Sequence, residues 1–281
     1  MSKPPDLTAT RGNIHVFTLG GTISMSAGAT GVTPTLSGKD LVSNIPGLAN
    51  TADLTMHEFC KVPGASLRID DICELASHIA AAFSERADGV VVVLGDEIHA
   101  AQLVAKTHST KPSAFASPGA GPLGWIVESA VVQQLVPTWD RLLLGMSAEA
   151  NLPSVPLITI CLDDDGAALV VGAKADGLVI EAMGGGHVPA WLVDPICALT
   201  DRIPVVMTSR TRSGTVLSST YAFAGSEQDL RRGGVITAGF LPALKARLLL
   251  LLLLRSGADR EQIRTVFAQM GLRARTLGKD A

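Results

Sequence analysis

The sequence predicts an α/β protein of two domains, a larger N-terminal domain on a parallel sheet and a smaller C-terminal α/β domain. Three observations carry that reading. The apolar run Asn13-Ile14-His15-Val16-Phe17 has the composition of a buried strand and leads into Thr18-Leu19-Gly20-Gly21-Thr22. Helical spacing follows over Asp70–Ala87, where Ile72, Leu75, Ile79, Ala82 and Phe83 share one face. A β-branched run, Val90-Val91-Val92-Val93-Leu94, comes next and reads as a central parallel strand. Strand, helix and strand in this order make a βαβ unit.

Between the first strand and that helix, Ser24–Ser37 is rich in Gly, Ala, Thr and Ser and reads as a long loop, a candidate lid. Lys106–Trp125 carries Pro112, Pro118, Gly119, Gly121, Pro122 and Gly124 and reads as an ordered connecting ribbon. The stretch Leu143–Pro156, with Asn151, Pro153 and Pro156, is the best boundary, giving domains at 12–148 and 155–281. A second α/β alternation follows, with strands at Leu157–Cys161, Gly177–Ala182 and Pro204–Thr208 and helices at Pro189–Asp201 and Pro242–Ser256. A last helix over Asp259–Met270 has Asp259 as its cap and Ile263, Val266, Phe267 and Met270 on its apolar face.

The bulk numbers narrow the function classes. With 47% hydrophobic and 17% charged residues, the 281-residue chain has the composition of a folded protein. A net charge of -3 gives no electrostatic basis for nucleic-acid binding. Cys60, Cys73, Cys161 and Cys197 show neither CxxC spacing nor a disulfide pattern, which suits a reducing cytoplasm. MSKPPDLTATRG lacks the apolar stretch of a secretory signal. Seven consecutive leucines, Leu248–Leu254, fall short of the ~20 residues a membrane span needs, so that run is expected to pack inside the domain or in a subunit contact. No membrane partner is expected.

Thr22 is the first candidate for chemistry. Two glycines at the end of a strand let the chain turn and let a ligand approach, and the carboxyl ends of parallel strands are where such sheets bind ligands. His99, His108 and His187 lack recognised ligand spacing, so no metal site and no cofactor is expected. Asp163-Asp164-Asp165-Gly166 has half the pattern of a calcium loop and reads as a turn. Gly184-Gly185-Gly186 has neither a dinucleotide nor a Walker register and reads as a tight backbone turn.

Several segments together resemble the bacterial-type L-asparaginases, amidohydrolases with a threonine nucleophile. The resemblance rests on Thr18–Ser24, Lys106-Thr107-His108-Ser109-Thr110, Phe115-Ala116-Ser117-Pro118 and Gly121-Pro122-Leu123-Gly124. It continues through Gly184-Gly185-Gly186-His187-Val188 to Leu241–Leu248, in order, from about Gly12 to Met270. It implies that Thr22 attacks the side-chain amide of L-asparagine, with L-glutamine as a second substrate. Ser66, in Pro63-Gly64-Ala65-Ser66, is similar to the family's serine for the substrate α-carboxylate. Glu227, by its spacing to Gly234, resembles an acid that a neighbouring protomer lends to the α-amino group, which implies a homodimer or homotetramer.

One departure stands out. The family's second signature, Gly-Thr-Asp-Thr after the second core strand, is absent, as is the lysine that pairs with its aspartate. The N-terminal domain is shortened, as though more than one βαβ unit were cut out and Val90–Val93 joined directly to Leu94-Gly95-Asp96-Glu97-Ile98-His99. Asp96 then becomes the candidate to replace the lost acid as ligand or base. The alternative is a family member that keeps its oligomer and amino-acid binding without turnover.

Overall fold

The computed structural model describes residues 12–21, 24–28, 31–43, 52–82, 90–128, 130–136, 144–145 and 151–271. It forms two compact units, Met1–Ala87 and Asp88–Ala281.

In the first unit β1 (Gly12–Gly20) pairs in parallel with β4 (Ala52–Val62), in register from Gly12↔Ala52 to Thr18↔Glu58. The register then shifts, and Gly20 faces Val62. At Gly20 φ is +93°, and a Cβ there would lie 2.7 Å from the Val62 backbone nitrogen and oxygen. Only glycine closes this bulge. The Ser24–Ser37 stretch is not an open loop: β2 (Met25–Gly28) and β3 (Gly31–Pro34) pair antiparallel, Met25 opposite Pro34. Its few apolar residues give no alternating pattern, so the strand signal was weak.

Helix α1 (Gly38–Ser43) begins with a reciprocal cap, the Asp40 backbone N–H donating to Ser37 Oγ and Asp40 Oδ2 accepting from the Ser37 backbone. Helix α2 (Ile69–Ala82) is held at its start by Asp71 Oδ2, which accepts from the Arg68 backbone N–H at 2.8 Å. The edge contact between the rings of Phe59 and His78 packs α2 against β4.

The second unit opens with a four-stranded antiparallel sheet. Its strands are β5 (Val91–Leu94), β6 (Glu97–Ala100), β9 (Gly124–Val127) and β10 (Ala130–Gln133), in the order β10-β9-β6-β5, while β7 (Ala105–Lys106) and β8 (Phe115–Ala116) form a small separate hairpin. The Val90–Leu94 run is therefore an edge strand of an antiparallel sheet and not a central parallel one. Gly95 and Asp96 both have positive φ, +59° and +62°. Two consecutive left-handed residues favour a tight hairpin, so the chain folds back at once instead of crossing over. Val91, Val93 and Leu94 stay exposed on this edge.

A four-stranded parallel sheet follows, in simple order: β11 (Leu157–Thr159), β12 (Leu178–Ala182), β13 (Val205–Ser209) and β14 (Ile236–Thr237). Leu178, Ile180 and Ala182 on β12 pack with Val205 and Met207 on β13 and with Leu192 and Ile196 beside and within α3 (Val193–Thr200). Val179 and Val206 point to the other face and are equally buried. Helix α4 (Glu227–Arg232) precedes β14, and α5 (Ala243–Arg255) packs across β11, β12 and β13. Burial on both faces is what the continuous apolar character of these strands requires.

The leucine run lies on α5, where Leu250, Leu251 and Leu253 are fully buried and the other four half-buried. Lys245 Nζ on the same helix donates to the carbonyls of Ala101 and Val104 at 2.5 and 2.6 Å, tying α5 to the turn after β6. Helix α6 (Arg260–Gly271) opens with a full capping box. Asp259 Oδ1 accepts from the Gln262 backbone, and Gln262 Oε1 accepts from the Asp259 backbone, both at 2.8 Å. Asp259→Ala is expected to cost about 1 kcal/mol of stability, and urea denaturation would measure it.

Candidate active site

Thr22 and Ile23 lie outside the described residues, but Gly21 before them and Ser24 after them are held by hydrogen bonds. The Gly21 backbone N–H donates to the Val62 carbonyl at 3.0 Å. Ser24, which is buried, donates from its hydroxyl to the Gly21 carbonyl at 2.9 Å. The Ser24 carbonyl accepts from Thr35 and Leu36, both at 2.9 Å, anchoring the far end of the β2–β3 hairpin.

Because β1 and β4 are parallel, both strands end at the same edge of their sheet. The chain leaves β1 through Gly20 and Gly21 there, and β4 runs into a short 3₁₀ turn, Gly64–Ser66, at that edge. Ser66 is exposed, and its backbone N–H closes the turn on the Pro63 carbonyl at 2.8 Å. It does not cap α2, since Asp71 meets the backbone N–H just before that helix. Beside the β1 end lies a cavity of about 360 Å³ lined by Val16, Thr18, Gly20, Ser24, Gly38 and Lys61. The Thr18 hydroxyl is buried without a hydrogen-bond partner among the described residues.

Asp96 occupies the tip of the β5–β6 hairpin and is exposed, its carbonyl accepting from the Ile126 N–H at 2.8 Å. One and three residues on, Glu97 and the buried His99 join Ser117 in an array that the sequence did not suggest. His99 Nδ1 meets the Ser117 hydroxyl at 3.1 Å, and His99 Nε2 lies 3.1 Å from Glu97 Oε2. Ser117 directly follows β8, and its carbonyl accepts from Ala120 and Gly121. Among the described residues no three His, Cys, Asp or Glu side chains are placed to hold a metal ion. Asp164 closes the turn after β11, accepting from the N–H groups of Cys161 and Gly166 at 3.0 and 2.9 Å.

Glu227 stands at the first position of α4 and is completely buried. Its Oε1 accepts from the backbone N–H groups of Thr220 and Tyr221 at 2.7 and 2.8 Å. Burial pushes this carboxyl up, but the N–H groups of Tyr221, of Glu227 itself and of Thr220, with the nearby His187 ring, more than offset it and leave it below the usual glutamate range. A depressed folded-state value means stability that is present above the ordinary glutamate range and lost as pH falls through it. Replacing Glu227 with Gln should therefore flatten the acid side of the stability–pH curve, which thermal melts between neutral and acid pH would show.

The other oxygen, Oε2, lies 3.4 Å from His187 Nε2. His187 follows the Gly184-Gly185-Gly186 turn, where φ at Gly186 is +112° and its position meets Val216, Met207 and the Glu227 Cβ. Tyr221 and Phe223 stand edge-on to the His187 ring at 4.9 and 5.1 Å between centroids. Sequence reasoning named Glu227 and the glycine turn separately and gave His187 no role. Forty positions separate His187 from Glu227, and long-range pairing joins them: the Val188 N–H donates to the Gly225 carbonyl at 2.9 Å, beside the β12–β13 ladder.

Comparison with known proteins matches both parts of the chain. Residues 154–267 match the glutaminase/asparaginase C-terminal domain, and residues 13–95 and 80–137 match the asparaginase N-terminal domain. A probable L-asparaginase of Deinococcus radiodurans is 37% identical over 202 residues, covering 69% of this chain and 60% of that protein. An L-asparaginase of Bacillus licheniformis is 32% identical over 173 residues, covering 60% of this chain and 52% of that protein. The chain thus spans only about half to three-fifths of the length of these relatives. In fold it is similar to a probable cytoplasmic L-asparaginase of Campylobacter jejuni, with a TM-score of 0.74 at 21% identity over 92% of this chain and 99% of that one. With family models matching on both sides of residue 150, the chain belongs to the bacterial-type asparaginase family.

Proposed function

We propose that this protein is an L-asparaginase-type amidohydrolase that converts L-asparagine to L-aspartate and ammonia, with L-glutamine as a second substrate. Thr22 supplies the nucleophile. Its hydroxyl oxygen adds to the side-chain amide carbon, and the tetrahedral intermediate expels ammonia once the nitrogen has gained a proton. The resulting ester is then hydrolysed by water, which regenerates the threonine. Asp96 serves as the acid–base group in place of the absent Thr-Asp-Lys set, Ser66 binds the α-carboxylate, and Glu227 of a neighbouring protomer binds the α-amino group. The assembly is a homodimer or homotetramer in the cytoplasm, a location supported by the cytoplasmic neighbour in fold. No described helix is long and apolar enough to cross a membrane.

The observation that carries this reading is the parallel register of β1 and β4, which brings Gly20-Gly21 and the Ser66 turn to one sheet edge. Carboxyl ends of parallel strands are where α/β folds bind ligands. Domains at 12–148 and 155–281 are part of the proposal, supported by family matches that end at 137 and begin at 154. The internal shortening is likewise supported by an N-terminal match that comes in two overlapping stretches, 13–95 and 80–137. Ser66→Ala tests the substrate pose: the KM for L-asparagine should rise about tenfold with kcat little changed, the mark of lost uniform binding. An unchanged KM removes Ser66 from the site.

A further inference from the structure

We propose that His15 and His57 form a binding site for one divalent transition-metal ion of the zinc, nickel or copper class, which clamps β1 to β4. No step of the hydrolysis above uses either residue, so this site stands apart from that reading.

The parallel register sets Phe17 opposite His57 and His15 opposite Thr55, and strand alternation puts all four side chains on one face of the sheet. His15 Nδ1 lies 3.0 Å from His57 Nε2. The ring centroids are 5.2 Å apart and the ring planes differ by 13°. At that centroid distance the line between the rings runs through the two facing nitrogens. The imidazoles therefore meet edge to edge, each aiming one nitrogen at the other. Phe17 stacks on His57, with 4.4 Å between centroids and 9° between planes, and steadies that ring. Both histidines are half-buried, so the pair is open to solvent and small ions. They stand 42 positions apart in sequence, and no ligand spacing reveals them.

Without metal, one proton fills the gap, one ring donating and the other accepting. The same two nitrogens suit an ion. Two histidine nitrogens on one tetrahedral zinc, each at its usual bond length, are about 3.3 Å apart. The pair thus needs to open by only about 0.3 Å, with each ring turning about χ2, a torsion that is broad for histidine. The donating ring moves its proton from the facing nitrogen to the far one, so both imidazoles bind neutral and no proton is lost. Imidazole ligands select zinc, nickel and copper over magnesium and calcium, which take oxygen. Among the described residues no third His, Cys, Asp or Glu joins the pair, so water completes the coordination shell. The sheet that the pair spans has two strands, a size that is marginal alone. An ion bound only across the folded pair stabilises it by mass action.

The test is calorimetric titration of the purified, metal-free protein with zinc chloride at about pH 8, where histidines are neutral. Wild type should bind one ion per chain across this pair, and His15→Gln and His57→Gln should each lose it. Melting temperature gives an independent reading. It should rise by about 5–10 °C in wild type at an ion concentration about a hundredfold above the dissociation constant, and EDTA should reverse the rise. Magnesium chloride should leave it unchanged. If either glutamine variant melts early without metal, His15→Asn or His57→Asn repeats the test. His78→Gln removes the surface pairing with Glu74 at 3.7 Å and should bind zinc like wild type. No zinc binding by wild type, or equal binding by wild type and both histidine variants, overturns the site. Loss of the ion in His78→Gln alone places it on α2 and overturns the site as well.

Discussion

Thr22→Ala is expected to lower ammonia release from L-asparagine by at least about 10³-fold, the scale of losing a nucleophile that works within a proton-transfer unit. The effect should fall on kcat, because the ground-state contacts assigned to Ser66 and Glu227 do not involve the hydroxyl. The fold should not register it. Gly20 and Gly21 close the bulge against Val62, and Ser24 anchors its far side through the Gly21 carbonyl, all without the threonine side chain. An unchanged melting temperature beside lost turnover would place the defect in chemistry. A parallel fall in both would make Thr22 a structural turn residue instead.

The largest effect on stability is expected from Leu250→Ala. Leu250 is fully buried on α5, and its side chain packs over Gly177, where a Cβ would come within 3.0 Å of the Leu250 Cδ2. Gly177 immediately precedes β12, the strand whose residues are buried on both faces of the parallel sheet. Truncation leaves a cavity between helix and sheet that the sheet cannot close by bending. The cost should be about 2–5 kcal/mol, lowering the melting temperature by roughly 5–15 °C for a domain of this size. Leu244→Ala, at a position 74% exposed on the same helix, is the control and should stay within about 0.5 kcal/mol of wild type. Equal losses at both positions would mean that α5 is held by helix propensity and not by packing.

Much of the C-terminal half was legible because its signals are local. Runs of apolar β-branched residues give β12 and β13, the leucine run gives α5, and Asp259 gives the α6 cap. The first strand was legible for the same reason, and the glycine pair correctly marked its irregular end. Val90–Leu94 misled because a continuous apolar run states only that a strand is apolar, not which partners it takes. The left-handed pair Gly95-Asp96 settles that by reversing the chain, and the edge strand keeps its valines in contact with solvent. The Ser24–Ser37 hairpin escaped notice because its strands are held by backbone hydrogen bonds with little apolar alternation.

The candidate site divides along similar lines. Thr22 was proposed from a local motif and Ser66 from the family resemblance, and the parallel pairing of β1 with β4 brings the ends of the strands before them to one edge. Glu227 was proposed by resemblance, through its spacing to Gly234, but its burial and the use of one oxygen by two backbone N–H groups depend on a loop that sequence does not place. His187 and the Glu97–His99–Ser117 array were invisible because their partners lie on other elements. Long-range polar pairs leave no periodic trace.

Ammonia release from L-asparagine by the purified wild-type protein, with its folded and oligomeric state checked in the same preparation, tests the central claim most directly. The account predicts saturable turnover well above that of Thr22→Ala, with Asp96→Asn strongly impaired. A folded oligomer whose ammonia release does not exceed the Thr22→Ala background would contradict it.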